Sequence, residues 1–193
     1  MKNKFIFFRL TLFVIFCFII QISSTFSKEI ELKAIEILTQ DEGNIIIGNN
    51  SAEAKIEEEL EIYADKFTYN KKKDFLTAEG NVLIVDLIKN LKINSNKIDF
   101  DRVNNKIFSH GKTFFNINDV YKVNSEDVNF LINETILSSK KETKVTDDLN
   151  NIINLNSFIY EDKIKIFKGR DIRMTDTKKN RYFLDQGMIK LDE

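Results

Sequence analysis

The stretch that decides the fold is Ile62-Tyr63-Ala64-Asp65-Lys66-Phe67-Thr68-Tyr69, because its spacing returns along the chain. Apolar or small side chains occupy its first, third, sixth and eighth positions. The same spacing recurs as Ile93-x-Ser95-x-x-Ile98-x-Phe100, as Val123-x-Ser125-x-x-Val128-x-Phe130 and as Ile153-x-Leu155-x-x-Phe158-x-Tyr160. The last residues of successive copies lie 31, 30 and 30 positions apart. A fixed period of that length marks stacked supersecondary units. A fainter copy precedes them, Leu32-x-Ala34-x-x-Ile37-x-Thr39. Another begins at Leu184, passes Ile189 and reaches Leu191, just before the sequence ends at Glu193.

Each unit has a second half. After Tyr69 comes a polar turn, Asn70 to Asp74, and then Leu76-x-Ala78-x-Gly80-x-Val82-x-Ile84. After Phe100 the turn runs to Lys106 and leads into Ile107-x-Ser109-x-Gly111-x-Thr113-x-Phe115. The third copy reads Leu137-x-Ser139-x-Lys141-x-Thr143-x-Val145, and the fourth carries Gly169 after a shorter turn. Alternation of this kind, rich in β-branched and aromatic residues, predicts strands. Ser51 to Tyr63, with its Glu57-Glu58-Glu59 run, predicts a solvated connection into a strand.

The three-residue step in the first strand has a physical consequence. Side chains on a strand alternate faces. A step of three puts the two apolar pairs on opposite faces unless a bulge or bend intervenes. A bend keeps them on one face. Ala64, Ser95 and Ser125 beside the step suit a tight corner, as do Gly80, Gly111 and Gly169 in the facing strand. The predicted product is an all-β stack of bent hairpins: two sheets meeting along a fold, apolar inside. These apolar side chains could line a trough or could simply pack on one another as a sealed core.

Composition narrows the function. The chain has 29 Lys+Arg against 30 Asp+Glu, so there is no basic excess for nucleic acid. One Cys, one His and no Trp leave no material for a Cys/His metal site or catalytic pair. His110, beside Gly111, reads as an exposed strand or turn residue, and Gly80 and Gly111 stand alone rather than in a phosphate loop. No cofactor and no enzymatic activity are expected.

Residues 1–27 differ from the rest. Lys2, Lys4 and Arg9 precede an apolar run from Leu10 to Ile20, and a polar stretch follows to Ser27. That order is a secretory signal, with cleavage expected near Ser27. The other possibility is an uncleaved inner-membrane anchor from Phe5 to Ile20 with its flanks, against which stand the interruptions at Arg9 and Thr11 and a length short of the roughly 20 predominantly apolar residues a span needs. Cys17 lies inside the run and reads as a small hydrophobe. Cleavage would leave residues 28–193 as one domain with no Cys, held by its own packing or by its neighbours.

The segments Ala64-Asp65-Lys66-Phe67-Thr68-Tyr69 and Leu76-Thr77-Ala78-Glu79-Gly80-Asn81-Val82 resemble the OstA-like repeat of the lipopolysaccharide transport machinery. Ser95 to Phe100 with Ser109 to Thr113 is a looser match, and the later copies are looser again. The resemblance spans about residues 29–193. It implies an open, V-shaped β-jellyroll whose interior cradles lipid A acyl chains between inner and outer membranes. Three forms are implied: a soluble periplasmic bridge, a membrane-anchored subunit, and the N-terminal domain of an outer-membrane barrel assembly protein. Asp171 to Asp176 and Asn180 to Leu184 are most similar to the third. On that reading the sixth copy is cut short and the native protein continues into a barrel. Lipid contact is expected at Phe67, Tyr69, Val82, Ile93, Phe100, Phe115, Val123 and Phe130. Partners would be lipopolysaccharide and other transport proteins docked by edge-strand addition, in a periplasmic, outer-membrane-associated setting. A structural β-solenoid holding no lipid is the competing reading.

Overall fold

The computed structural model describes residues 29–57, 59–117 and 120–190. The expected signal segment and its cleavage position, as well as Cys17 and Leu191, lie outside the described residues. Within them the chain is almost entirely antiparallel strand. The strands are β1 (Ile30–Lys33), β2 (Glu36–Gln40), β3 (Ile45–Ile56), β4 (Leu60–Asn70), β5 (Phe75–Asp86), β6 (Leu91–Asp101), β7 (Lys106–Ser109) and β8 (Lys112–Ile117). They continue as β9 (Tyr121–Glu126), β10 (Asn129–Leu131), β11 (Ile136–Ser139), β12 (Thr143–Thr146), β13 (Ile152–Leu155), β14 (Ser157–Glu161), β15 (Ile166–Thr175) and β16 (Arg181–Lys190).

The long strands bend where the sequence steps by three. Pairing of β3 with β4 slips between Asn49 and Ala52, β4 with β5 between Tyr63 and Lys66, and β5 with β6 between Glu79 and Val82. In β4 the step turns Asp65 and Lys66 outward and keeps Ile62, Ala64, Phe67 and Tyr69 buried on one side. Later rungs break at the same place, as β7/β8, β9/β10, β11/β12 and β13/β14. The result is two β walls joined along a bend. One wall, here the first, carries β2, β7, β10, β11, β14 and the adjoining halves of the bent strands. The second carries β1, β8, β9, β12, β13 and the other halves.

Left-handed backbone marks the bend: Gly80 has φ 78°, Gly111 72°, Asp127 50° and Asp171 51°. Gly80 also sits against the Asp65 side chain, so a Cβ there would be strained and crowded at once. Gly169 departs from the expectation that it forms a corner. Its φ is not positive, and Asp171 takes the left-handed position instead. Gly169 pairs with Phe158 on one side and with Gly187 on the other. The connection expected over Ser51 to Tyr63 is also corrected: Ser51 to Ile56 belong to β3, and β4 starts at Leu60. Ala52, Ala54 and Ile56 are buried, so the short alternation outweighs the glutamate run that follows it.

β16 pairs with β15 from Ile166↔Lys190 to Thr175↔Arg181, because the turn after Thr175 returns the chain along the same wall. Its other edge has no partner among the described residues, and Tyr182, Phe183, Leu184, Met188 and Ile189 are exposed. No helix among the described residues is long and apolar enough to cross a membrane.

Candidate functional site: an apolar interior between two walls

Register turns the repeat into continuous rows. On the second wall the directly paired residues are Leu32, Ala54, Ile62, Ile84, Ile93, Phe115, Val123, Val145, Ile153, Met174 and Tyr182. On the first wall the matching row is Ile46, Tyr69, Leu76, Phe100, Ile107, Phe130, Leu137, Tyr160, Phe167 and Ile189. A second row on that wall, nearer the bend, alternates large and small: Gly48, Phe67, Ala78 and Ile98 are successive partners. A Cβ on Gly48 would fall within 2.4 Å of Phe67 Cε1, so the glycine makes room for that ring. Cross-strand neighbours of this kind are the stabilising unit of a sheet.

All eight residues expected to touch lipid lie in this interior, and all eight are buried. Ile93, Phe115 and Val123 are successive members of the second-wall row; Tyr69, Phe100 and Phe130 belong to the first-wall row. Phe67 and Val82 sit nearer the bend. Phe158, Tyr160, Leu137 and Ile107 share the same surface and were not singled out. They stand in the looser copies, at the repeat positions of Phe67, Tyr69, Leu76 and Leu76 respectively, so the register itself was the signal.

The two walls touch. Phe115 of β8 meets Phe158 of β14 across the interior, ring centroids 5.9 Å apart, and Phe158 stacks on Phe167 at 5.2 Å. At the lip, Lys89 in the turn between β5 and β6 places its Nζ 5.8 Å from the centroid of the Phe130 ring on the opposite wall. The larger grooves lie outside, near the bend. One of about 840 Å³ runs past Phe108, Ser138, Lys140, Ile159 and Arg170, and one of about 710 Å³ past Asn94, Asn96, Phe114 and Asn124.

A bend disrupts backbone pairing, and buried hydroxyls repair it. Ser109 Oγ accepts from Thr113 Oγ1 at 2.6 Å and from Val128 N at 2.9 Å. Ser125 and Thr143 share a 2.8 Å bond, and Ser139 Oγ donates to Glu126 O. Ser95/Ser125, Ser109/Ser139 and Thr113/Thr143 are each one period apart, so this spine was readable as repeat positions, although the sequence reading singled out only Ser95 and Ser125, for their small size. Buried polar atoms satisfied in this way hold the bend as a defined joint.

The first-wall turns carry the polar clusters. Tyr69 donates to Asp74 Oδ1 at 2.7 Å, and the Arg102 guanidinium donates to both the Tyr69 hydroxyl, at 2.8 Å, and Asp74. Tyr160 donates to Asp162 at 2.7 Å. Burial raises the Tyr160 and Tyr69 phenols above their ordinary value near 10, and the adjacent carboxylate adds to it in each case. Tyr63 is pushed up to about 12, chiefly by its hydrogen bond to Glu61. A raised folded pKa contributes stability that is present below the unfolded value and is lost as pH rises through the folded one. An ultraviolet titration of phenolate should therefore show these tyrosines ionising later than free tyrosine, Tyr160 only as the fold itself is lost. Tyr160→Phe should remove that late component; a Tyr160 that ionised near pH 10 would contradict its burial beside Asp162.

His110 is not a plain exposed residue. Its Nε2 lies 2.7 Å from Asp99 Oδ2, while Thr77 donates to the other carboxylate oxygen at 2.8 Å, and its ring meets Phe108 edge-on at 4.8 Å. Asp99 is thus the shared partner of Thr77 and His110. Among the described residues no group of three or more His, Cys, Asp or Glu side chains is arranged to hold a metal ion.

No family model matches the chain, and no curated protein matches it. Among solved structures it is similar to LptH, the LptA-homologous periplasmic component of the lipopolysaccharide transport device of Pseudomonas aeruginosa. The identity is 9%, the match covers 83% of this chain and 96% of that one, and the TM-score is 0.30.

Proposed function

We propose that this protein is a non-enzymatic carrier of lipopolysaccharide, holding acyl chains between its two β walls as they pass between membranes. The observation that supports this reading is the pair of apolar rows running from end to end of the stack. An acyl chain of about 12 carbons exposed to water costs roughly 0.8 kcal/mol per methylene. A continuous apolar surface removes that cost along a whole path, and near-identical rungs give near-equal binding at each step. The OstA-like motif in the first full unit agrees with this use.

Because the walls touch, hydrocarbon must replace side chain–side chain contacts rather than fill a void. One apolar partner then substitutes for another, at the cost of parting the walls. The bend, with its left-handed residues and hydroxyl bonds, would serve as the joint. Among the described residues the outer edges of β16, β1 and β2 have no strand partner, and they would supply backbone donors and acceptors for strand addition by neighbouring transport proteins. Export by the N-terminal segment and placement in the periplasm near the outer membrane complete the proposal. A soluble bridge and a membrane-anchored subunit would use the same interior.

Photo-crosslinking residues at Phe100 and Phe115 should capture lipopolysaccharide in cells, with little capture at the exposed turn residue Lys72. Capture at Phe100 and Phe115 no greater than at Lys72 would reject the carrier and leave the second reading, a structural β-stack. The sealed contact between Phe115 and Phe158 favours that second reading until lipid is seen there.

A further inference from the structure

From β6 to β16 the outer face of the second wall carries charge of one sign. Side chains that alternate with the buried rows make two rows there, set by direct pairing. The row nearer the lip runs from Lys92 through Asn116 and Lys122 to Arg181. The row nearer the bend runs from Asn94 through Phe114, Asn124, Lys144 and Arg173 to Phe183. Together they hold Lys92, Lys122, Lys144, Arg173 and Arg181, all exposed, and no Asp or Glu. None of these cations is in an ion pair among the described residues. Charges elsewhere are matched. Earlier in the same rows Lys33 pairs with Glu31 and Lys55 with Glu61. On the outer face of the first wall Lys97 pairs with Glu79 and Lys168 with Glu161. The whole chain is balanced, with 29 Lys+Arg against 30 Asp+Glu, so the excess is local. Unmatched cations repel one another, and a bound polyanion removes that repulsion.

The neutral residues narrow the kind of polyanion. Asn94 and Asn124 are exposed amides, which both donate and accept. Phe114 between them is half-buried, and Phe183, opposite Arg173, is 71% exposed. Asn94, Phe114 and Asn124 also line the outer groove of about 710 Å³, with Asn96 and Lys112. Amide, ring and ammonium side by side match the hydroxyls, the C–H face and the carboxylate of an acidic sugar. A protein partner fits less well, because lysine is depleted from protein interfaces. A bilayer also fits less well. Twist rotates each strand by roughly 20–25° against the next, so the face winds where a membrane is flat. Lying on a membrane would also set the stack parallel to it, whereas the carrier reading runs the stack between membranes. An extended, flexible polymer can follow a winding face. Sugars of a carried lipid would reach it only over the lip, past Asp147 and Asp148 in the turn after β12. We propose that this face binds an anionic glycan polymer, the carboxylate-bearing glycan–peptide of a cell wall. The inference takes its setting, the space between two membranes, from the carrier reading and adds a second, external site.

The test uses the full chain with Cys17→Ser and one introduced cysteine bearing an environment-sensitive fluorophore. Asn124→Cys places it on this face, and Ile159→Cys on the exposed outer face of the first wall. The probe is a set of soluble disaccharide-peptide oligomers released from purified bacterial cell wall by a muramidase. The label at Asn124→Cys should change saturably and the label at Ile159→Cys should not. Amidating the oligomer carboxylates should abolish the change, and added salt should weaken it. Lys92→Gln, Lys122→Gln and Lys144→Gln together should raise the half-saturating concentration roughly tenfold, as expected of three exposed charge contacts of ordinary strength. Lys66→Gln, Lys97→Gln and Lys168→Gln change the net charge equally but act on the first wall, and should raise it less than about twofold. No change at Asn124→Cys, equal changes at both labels, or equal losses in the two triple variants would overturn the site. An equal response to polyglutamate or to phosphatidylglycerol vesicles would overturn the glycan in favour of an acidic protein or a membrane. Glycan binding without lipid capture at Phe100 and Phe115 would overturn the carrier and leave this site standing. Lipid capture without glycan binding would do the reverse.

Discussion

Phe115→Ala is expected to lose about 3–5 kcal/mol of folding stability, the usual cost of emptying a fully buried aromatic site. That is a large part of the roughly 5–15 kcal/mol that holds a typical domain. Phe115 is 0% exposed, pairs with Ile93 and Val123 along its own wall, and meets Phe158 across the interior. Alanine leaves a void bounded by two sheets whose backbones are fixed by hydrogen bonds, so little collapse can relieve it. Phe114, its neighbour in β8, points to the outer surface and is only half-buried. Phe114→Ala should cost well under half as much. Urea melts of the two variants provide the comparison, with a fall in midpoint at unchanged slope. Equal losses would mean that the interior is not packed as described, and that the walls stand apart in solution.

Asp74→Ala is expected to lose about 1.5–3 kcal/mol, the range for a hydrogen bond to a charged group. Arg102 is 7% exposed, and its guanidinium donates to Asp74 and to the Tyr69 hydroxyl. Without the carboxylate the cation stays out of water with less compensation. Asp74→Asn should recover part of the loss, because an amide oxygen still accepts from Tyr69 and Arg102. Placing Arg102→Met in the Asp74→Ala background should also recover part of it, since an apolar group needs no partner there. A double variant as unstable as the sum of the two singles would show that the pair is not coupled. The experiment bears on function through Tyr69, whose ring forms part of the interior surface while its hydroxyl is tied to this cluster.

The first wall thus anchors its tyrosine hydroxyls at the turns and turns their rings inward, at Tyr69 and again at Tyr160. Asp74 and Asp162 occupy turns that follow the two tyrosines by different distances, five residues and two. The arrangement is repeated although the turn sequences are not. Conserved spacing was therefore a good guide to which rings face inward and a poor one to what holds them.

The unit and its bend follow from the residues alone. A three-residue step in an otherwise alternating strand can keep both apolar pairs inside only if the strand folds there, and Tyr63/Lys66 and Glu79/Val82 are where the register slips. The residues also determine which face of each strand is buried, because period-two alternation leaves no other choice. Gly169 was misread because aspartate also tolerates left-handed backbone, and the fold places that conformation at Asp171. The partners across the interior were decided by the tertiary structure alone. Within one unit Phe115 follows Ile107, yet it packs on Phe158, three strands further along the first wall; Lys89, between β5 and β6, likewise reaches Phe130 on β10, two strands beyond β6. Twist is the physical reason. Each strand is rotated against the next by roughly 20–25°, so walls that share strands at the bend diverge toward their lips. That rotation is a property of the assembled sheet, absent from any single repeat, and it brings the turn after β5 over the mouth.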